Sequence, residues 1–253
     1  MIKRELNILL SSFLFFTRLH FPFKVEYRPE NQSLILTWFP LVGLVVGAIG
    51  AMGYTLSAYA FPHFVSIILS VALMILSTGA LHEDGWADVC DAFGGGYNKE
   101  QKLRIMKDSC VGAYAVIGLI MLFALKIFTL ASIEPARLPL VLVAAHALSR
   151  WSVLLLPKFW HNARSENSKS LDSSSALSWR RIIFALAIAS LPLFFFSWTS
   201  FLAIPLIAAS SLLTGIYFAH HIDGYTGDCL GVVQQLNEVL LLLLALGGAN
   251  YLP

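Results

Sequence analysis

The sequence predicts an all-α, polytopic transmembrane helical bundle of about seven spans, preceded by an N-terminal interfacial or re-entrant helix. Three observations carry that reading. Of the 253 residues, 57% are hydrophobic and only 13% charged, with a mean hydropathy of +0.73, whereas soluble domains carry about 25% charged residues. Continuous apolar stretches fall at 33–60, 61–81, 111–133, 138–157, 182–197, 201–219 and 229–246. Basic residues gather in alternate connections between those stretches, as the retention of Lys and Arg on the cytoplasmic side requires. No soluble block separates the stretches, so residues 1–253 read as a single integral membrane domain.

Lys3 and Arg4 precede an apolar run from Leu6 to Phe16, and no small-residue cleavage site follows before Arg18. The run therefore reads as retained, not as a signal peptide, and it falls short of the about 20 residues a spanning helix needs. Pro62 makes a tight join between the first two spans, and residues 197–200 form another short polar break.

Lys3, Arg4, Arg18, Lys24 and Arg28 precede the first span. Lys99, Lys102, Arg104 and Lys107 follow the second, and Lys158, Arg164, Lys169, Arg180 and Arg181 follow the fourth. The other connections carry only Arg137. That asymmetry predicts a multi-pass protein of the cytoplasmic (inner) membrane with its amino terminus inside, and it places both acidic segments, 82–108 and 223–228, on the cytoplasmic side.

A net charge of +2 and a pI near 8.4, with no dense basic run, argue against nucleic acid as a partner. Cys90, Cys110 and Cys229 lack CxxC spacing and suggest neither a disulfide framework nor a zinc knuckle.

Most of the chemistry lies in a cytoplasmic segment at 82–110, whose core is HEDGWADVCDAFGGG. If the run is helical, Asp84, Asp88 and Asp91 stand at i, i+4 and i+7, within about 60° of one face. Three carboxylates on one face repel one another unless a cation joins them, and hard oxygen donors select Mg²⁺, Mn²⁺ or Ca²⁺. The competing reading is a solvated acidic face. Gly94, Gly95 and Gly96 end the run and free backbone N–H groups to approach an anion. The basic residues that follow, Arg104 and Lys107 among them, suit phosphate.

Arg150 lies inside the fourth span, where a mid-membrane arginine costs about 2.5 to 3.5 kcal/mol. It is expected to face a polar interior together with His146, one turn earlier. Gln234, Gln235, Asn237 and Glu238 interrupt the last span and Lys126 the third, so Glu238 pairs with Arg150 or with Lys126, or meets substrate. GYTGDCLG, with Asp228, is a second acidic turn and a source of one further metal ligand.

With these residues in view, the chain resembles the cobalamin-5'-phosphate synthase, or adenosylcobinamide-GDP ribazoletransferase, family. The resemblance rests on FFTRLHFPF, WFPLVGLVVGAI, LHEDGWADVCDAFGGG, IMKDSCVGAY, ARSE and GYTGDCLG leading to Glu238, with Asn167 a departure where the family often has glycine. It implies transfer of a cobinamide-phosphoryl group from adenosylcobinamide-GDP to a ribose hydroxyl of alpha-ribazole or alpha-ribazole 5'-phosphate, with release of GMP and a need for Mg²⁺. CDP-alcohol phosphotransferases offer a chemical analogy and an alternative, although Asp88 stands where their motif has arginine. An ion-coupled transporter using Lys126, Arg150 and Glu238 is the competing class, but the chain shows no internal repeat.

On this reading Asp84, Asp88, Asp91, Asp108 and Asp228 are the candidate metal ligands, holding one or two Mg²⁺ ions on the donor pyrophosphate. His82, Glu83 and Lys107 are the candidate catalytic residues, the first two as bases for the ribose proton. Arg18, Gly94, Gly95, Gly96, Arg104, Arg150 and Glu238 are the candidate substrate-binding residues. The expected partners are the two substrates, the lipid bilayer, and either further copies of the chain or other enzymes of the cobalamin pathway.

Overall fold

The computed structural model describes residues 2–19, 25, 32–164 and 177–249. Lys24, Arg28, Asn167 and Lys169, used above, lie outside the described residues. Among those described, the chain is helical, with one isolated bridge between Asn162 and Tyr225. In chain order the helices are α1 (Ile2–Phe16), α2 (Phe39–Ser57), α3 (His63–Thr78), α4 (Leu81–Gly95), α5 (Lys99–Ile105) and α6 (Ala113–Ser132). They continue with α7 (Leu138–Ser152), α8 (Leu155–Phe159), α9 (Trp179–Ala189), α10 (Ala203–Ile222) and α11 (Gly227–Ala249).

Among the described residues, five segments are long and apolar enough to cross a membrane: Leu36–Ser57, Ala113–Ser132, Leu138–Phe159, Trp198–Ile222 and Gly227–Gly247. Two of the seven expected spans differ. The α3 helix passes the same test only together with α4, from which it is bent by 88°. The stretch 182–197 is α9 followed by a 3-10 turn, Leu191–Phe195, because Pro192 has no N–H to continue the α-helical ladder. These two pieces still run the length of the bundle. Leu177 accepts a bond from Lys158 at one end, while Ser197 and Ser200 line a groove with Arg137, which precedes α7, at the other.

The bundle is built around α7, whose residues from Ala144 to Ser152 are all buried. It packs most closely on α2 and α11, while α6 and α10 turn large apolar side chains such as Ile117, Ile120, Leu213 and Ile216 outward. In water such exposure would mark an interface. On helices of this length it is the lipid-facing side, since lipid tails are as apolar as the side chains. The α1 helix buries Ile8, Ser11, Ser12 and Phe16 on one side and exposes Leu14 and Phe15 on the other.

The elbow between α3 and α4 has a local cause. Gly79 and Ala80 both adopt left-handed backbone, with φ of 66° and 59°. Two such residues cannot continue a right-handed helix. The turn stops α3 and redirects the chain, and the acidic run is a helix, α4, packed on α6 and α11.

Candidate active site

The helical periodicity of α4 gives it two dissimilar faces. His82, Glu83, Gly85, Ala87, Val89 and Ala92 are buried, whereas Asp84 is exposed and Asp88 and Asp91 are half-buried. Gly85 makes the approach of α11 possible, since a Cβ there would lie 2.9 Å from the Asp228 carbonyl oxygen and 3.0 Å from its Cα. Only hydrogen fits. The crossing brings the start of α11 beside the acidic face, so that Asp88 feels both Asp228 and Asp84. Burial first, and then these neighbouring carboxylates, push the Asp88 carboxyl up to about 6. Asp88 lies in α4, outside the five spanning helices.

Asp91 has a different task from the one its spacing suggests. Its two carboxylate oxygens accept from the Gly112 N–H at 2.6 Å and the Ala115 N–H at 2.9 Å, capping the N-terminus of α6. Asp108 is exposed and accepts from the Cys110 N–H at 3.0 Å, a bond that holds its carboxyl below the usual range. The charge of Asp91 still reaches Asp88, but its two oxygens are engaged by α6. Asp84, Asp88 and Asp228 are the carboxylates the fold draws together.

Asp228 is held from two sides. Arg164 Nη2 donates to its Oδ2 at 2.8 Å, and Thr226 Oγ1 donates to the same oxygen at 3.2 Å. Arg164 reaches it from a short strap that docks on the GYTGD turn. The Ala163 N–H donates to the Tyr225 carbonyl at 2.8 Å, and the Tyr225 N–H to the His161 carbonyl at 3.0 Å. Gly224 permits this pairing, for its φ is +136° and a Cβ there would strike the His161 carbonyl. The ARSE and GYTGD motifs, far apart in sequence, meet here.

The expected bases are not at this face. His82 is buried with its ring 5.5 Å from that of Phe39 and 6.5 Å from that of Phe16, and Glu83 is buried and accepts from Gln235 Nε2 at 2.9 Å. At about 100° per residue both project away from Asp84 and Asp88. Gly94 and Gly96 also read differently. A Cβ on Gly94 would enter the Tyr114 ring, and one on Gly96 would lie 2.7 Å from the Ala92 carbonyl oxygen and 2.8 Å from Lys102 Cγ. These glycines let the turn pack, whereas a Cβ on Gly95 would meet only Ile105, at 3.9 Å. Lys102 donates to the Gly96 carbonyl at 2.8 Å and is buried, while Arg104 and Lys107 are exposed. Arg18 is exposed at the elbow, its N–H bonded to the Ser77 carbonyl at 2.7 Å.

Arg150 and Glu238 belong to a polar network inside the bundle, with Glu238 on Lys126, one of the two ion-pair partners expected for it. Arg150 is 1% exposed, donates through Nη1 to His146 Nδ1 at 2.8 Å and lies 5.4 Å from the centre of the Phe39 ring. A donor on Nδ1 leaves the proton of a neutral His146 on Nε2. Its 3.5 Å approach to Glu238 is then no ion pair. Glu238 pairs with Lys126 at 2.7 Å and accepts from Gln234 at 2.6 Å. Lys126 also bonds Gln235, which bonds Glu83, so the network anchors the start of α4 to α6 and α11. Asn237 adds bonds to Ser152 at 2.7 Å and Ser211 at 2.8 Å.

Whether the carboxylates suit a metal is answered by their chemistry. They are hard oxygen donors, and the charges of Asp228 and Asp84 raise the proton affinity of Asp88, the pattern expected beside a divalent oxygen-ligand site. Among the described residues, no group of three His, Cys, Asp or Glu is gathered closely enough to hold a metal ion. The donor set fits Mg²⁺ in kind, and the Arg164 contact occupies one of its members.

Comparison with known proteins follows the same lines. The model of the cobalamin-5-phosphate synthase family matches residues 8–246. The chain is 34% identical over 251 residues to an adenosylcobinamide-GDP ribazoletransferase of Shewanella amazonensis, covering 96% of both chains. It is 37% identical over 233 residues to the enzyme of that name from Ralstonia nicotianae, covering 90% of both. A Vibrio cholerae protein with the same name is 35% identical over 250 residues, covering 97% of this chain and 95% of its own. No solved structure matches.

Proposed function

The chain belongs to the cobalamin-5-phosphate synthase family, and on that premise we propose that it transfers the cobinamide-phosphoryl group of adenosylcobinamide-GDP to a ribose hydroxyl of alpha-ribazole or alpha-ribazole 5'-phosphate. The ribose oxygen bonds to the phosphorus that carries cobinamide, the bond from that phosphorus to the bridging oxygen breaks, and GMP departs with the electron pair. The observation that carries this reading is similarity over 96% of the chain to a protein of that named activity.

On this reading the reaction takes place at the cytoplasmic face of the inner membrane, and the basic residues beside α4 and the GYTGD turn support that side. Asp84, Asp88 and Asp228 are the residues that would hold Mg²⁺, which when bound would offset charge on the pyrophosphate and on the departing GMP. Arg104 and Lys107, exposed on and just after α5, attract the donor's phosphates. The Lys126–Glu238 network, below the site, keeps α4 at its depth and orientation. The test is direct: purified protein supplied with adenosylcobinamide-GDP, alpha-ribazole 5'-phosphate and Mg²⁺ should release GMP. Folded protein that releases none would refute the assignment.

A further inference from the structure

In the sequence Arg164 is one of several basic residues after the fourth apolar stretch, yet its placement is more particular than theirs. Its side chain is 30% exposed and that of Asp228 is 21% exposed, so the pair sits at the mouth of the acidic face and not within the bundle. Nη2 makes both of its described contacts, to Asp228 Oδ2 at 2.8 Å and to the Met106 carbonyl at 3.4 Å. The backbone behind it is fixed. The Arg164 N–H donates to Asn162 Oδ1 at 2.9 Å, and the strap is bonded on both sides of Tyr225. Its charge also reaches Asp88. One guanidinium thus stands over the carboxylates assigned above to the metal, on a rigid base with a long, flexible stem.

A guanidinium and a divalent cation compete for one carboxylate, because each is drawn to the same oxygens and the two cations repel. A pyrophosphate brought in with the metal offers the displaced guanidinium a planar, bidentate partner. We propose that Arg164 is a substrate-binding residue with two partners in turn: it neutralises Asp228 while the site holds no cation, and it passes to the donor's pyrophosphate when the metal takes that carboxylate. The inference rests on the reading of the site given under Proposed function. It makes metal and donor binding cooperative, since either one frees a group that the other needs.

The experiment uses full-length protein in detergent, with Mn²⁺ as the metal probe and GDP as the diphosphate probe. Without GDP, Arg164→Ala should bind Mn²⁺ about fivefold more tightly than wild type, the scale of a partly exposed ion pair removed. With Mn²⁺ saturating, the same variant should bind GDP at least about tenfold more weakly, as loss of a charge-assisted bidentate contact requires. Arg164→Lys keeps the charge over Asp228 and should show the GDP loss without the Mn²⁺ gain, which also guards against a folding defect in the Ala variant. Unchanged Mn²⁺ and GDP binding in both variants would overturn the inference and leave Arg164 a structural brace. Weaker Mn²⁺ binding in Arg164→Ala would overturn it as well. Wild-type protein that binds neither probe would overturn the metal reading of the site along with it, whereas wild-type binding with indifferent variants defeats this inference alone.

Discussion

Replacing Lys126 by Met tests whether the polar network in the bundle is a structural anchor. Met keeps the length and apolar character of the stem and removes the ammonium that lies 2.7 Å from Glu238. Lys126 and Glu238 are of opposite sign and form the closest ion pair of the network. The substitution strands one negative charge on a side chain that is 5% exposed. Glu238 can avoid this by taking up a proton. For a carboxylic acid of ordinary pKa near 4.3 that costs about 2.7 pH units at pH 7, or about 3.7 kcal/mol. Loss of the bond to Gln235 adds about 0.6 kcal/mol, the usual worth of such bonds in membrane proteins. The sum agrees with the 3 to 5 kcal/mol that breaking a buried pair generally costs. The double variant Lys126→Met, Glu238→Gln strands no charge and retains an amide for Gln234, so it should return to within about 1 kcal/mol of wild type. Buried Cys229 provides the assay. In a Cys90→Ser, Cys110→Ser background, its reaction with a thiol dye reports unfolding on heating in detergent. A single variant that loses less than about 1 kcal/mol, or a double variant as unstable as the single, would refute the anchoring role.

Asp88→Asn should lower turnover at least about a hundredfold, roughly 2.7 kcal/mol of transition-state stabilisation, with folding intact because it relieves repulsion from Asp84 and Asp228. Asp91→Asn should instead cost about 1 kcal/mol of stability through the lost α6 cap, read by the same thiol melt, so equal and purely catalytic defects in the two would contradict the division between them. Asp88 is raised to about 6 from 3.8, so the metal-free fold binds a proton there that the unfolded chain has released between those values. Its stability therefore falls as pH rises through that window. For the same reason Mn²⁺ must displace that proton below about pH 6, and its affinity should fall up to tenfold per pH unit there in titrations that Asp88→Asn makes flat. In a cysteine-free background, an impermeant maleimide applied to intact cells should label Ser197→Cys and spare Asn98→Cys; labelling at 98 alone would invert the orientation.

Hydropathy is enough to read from the sequence the five helices long and apolar enough to cross a membrane, because lipid imposes one rule on every crossing helix. The bend at Gly79 and Ala80 was not legible in the same way. Ala80 has no sequence signal for left-handed backbone, and an apolar run gives no sign of a change in direction. The spacing of Asp84, Asp88 and Asp91 correctly puts them on one side of a helix. What the spacing lacks is the neighbour each one meets, and α6 claims Asp91 because its first N–H groups have no partners within the helix.

The same limit explains the rest of the site. A buried charge announces that it has a partner but not which one, so Glu238 was left between Arg150 and Lys126 until packing gave it to Lys126. His82 and Glu83 look catalytic beside Asp84 because sequence order ignores the 100° turn per residue that sends them inward. The strap of 161–164 had a signal, however. In GYTGD the Gly224 backbone must accept both a positive φ and a carbonyl at van der Waals range, a demand that marks close approach by another segment. The segment that meets it carries Arg164 to Asp228 across 64 positions of sequence. A glycine in a polar turn thus points to contact as clearly as a charged residue does, and here that contact sets Arg164 against the carboxylates that the fold brings together.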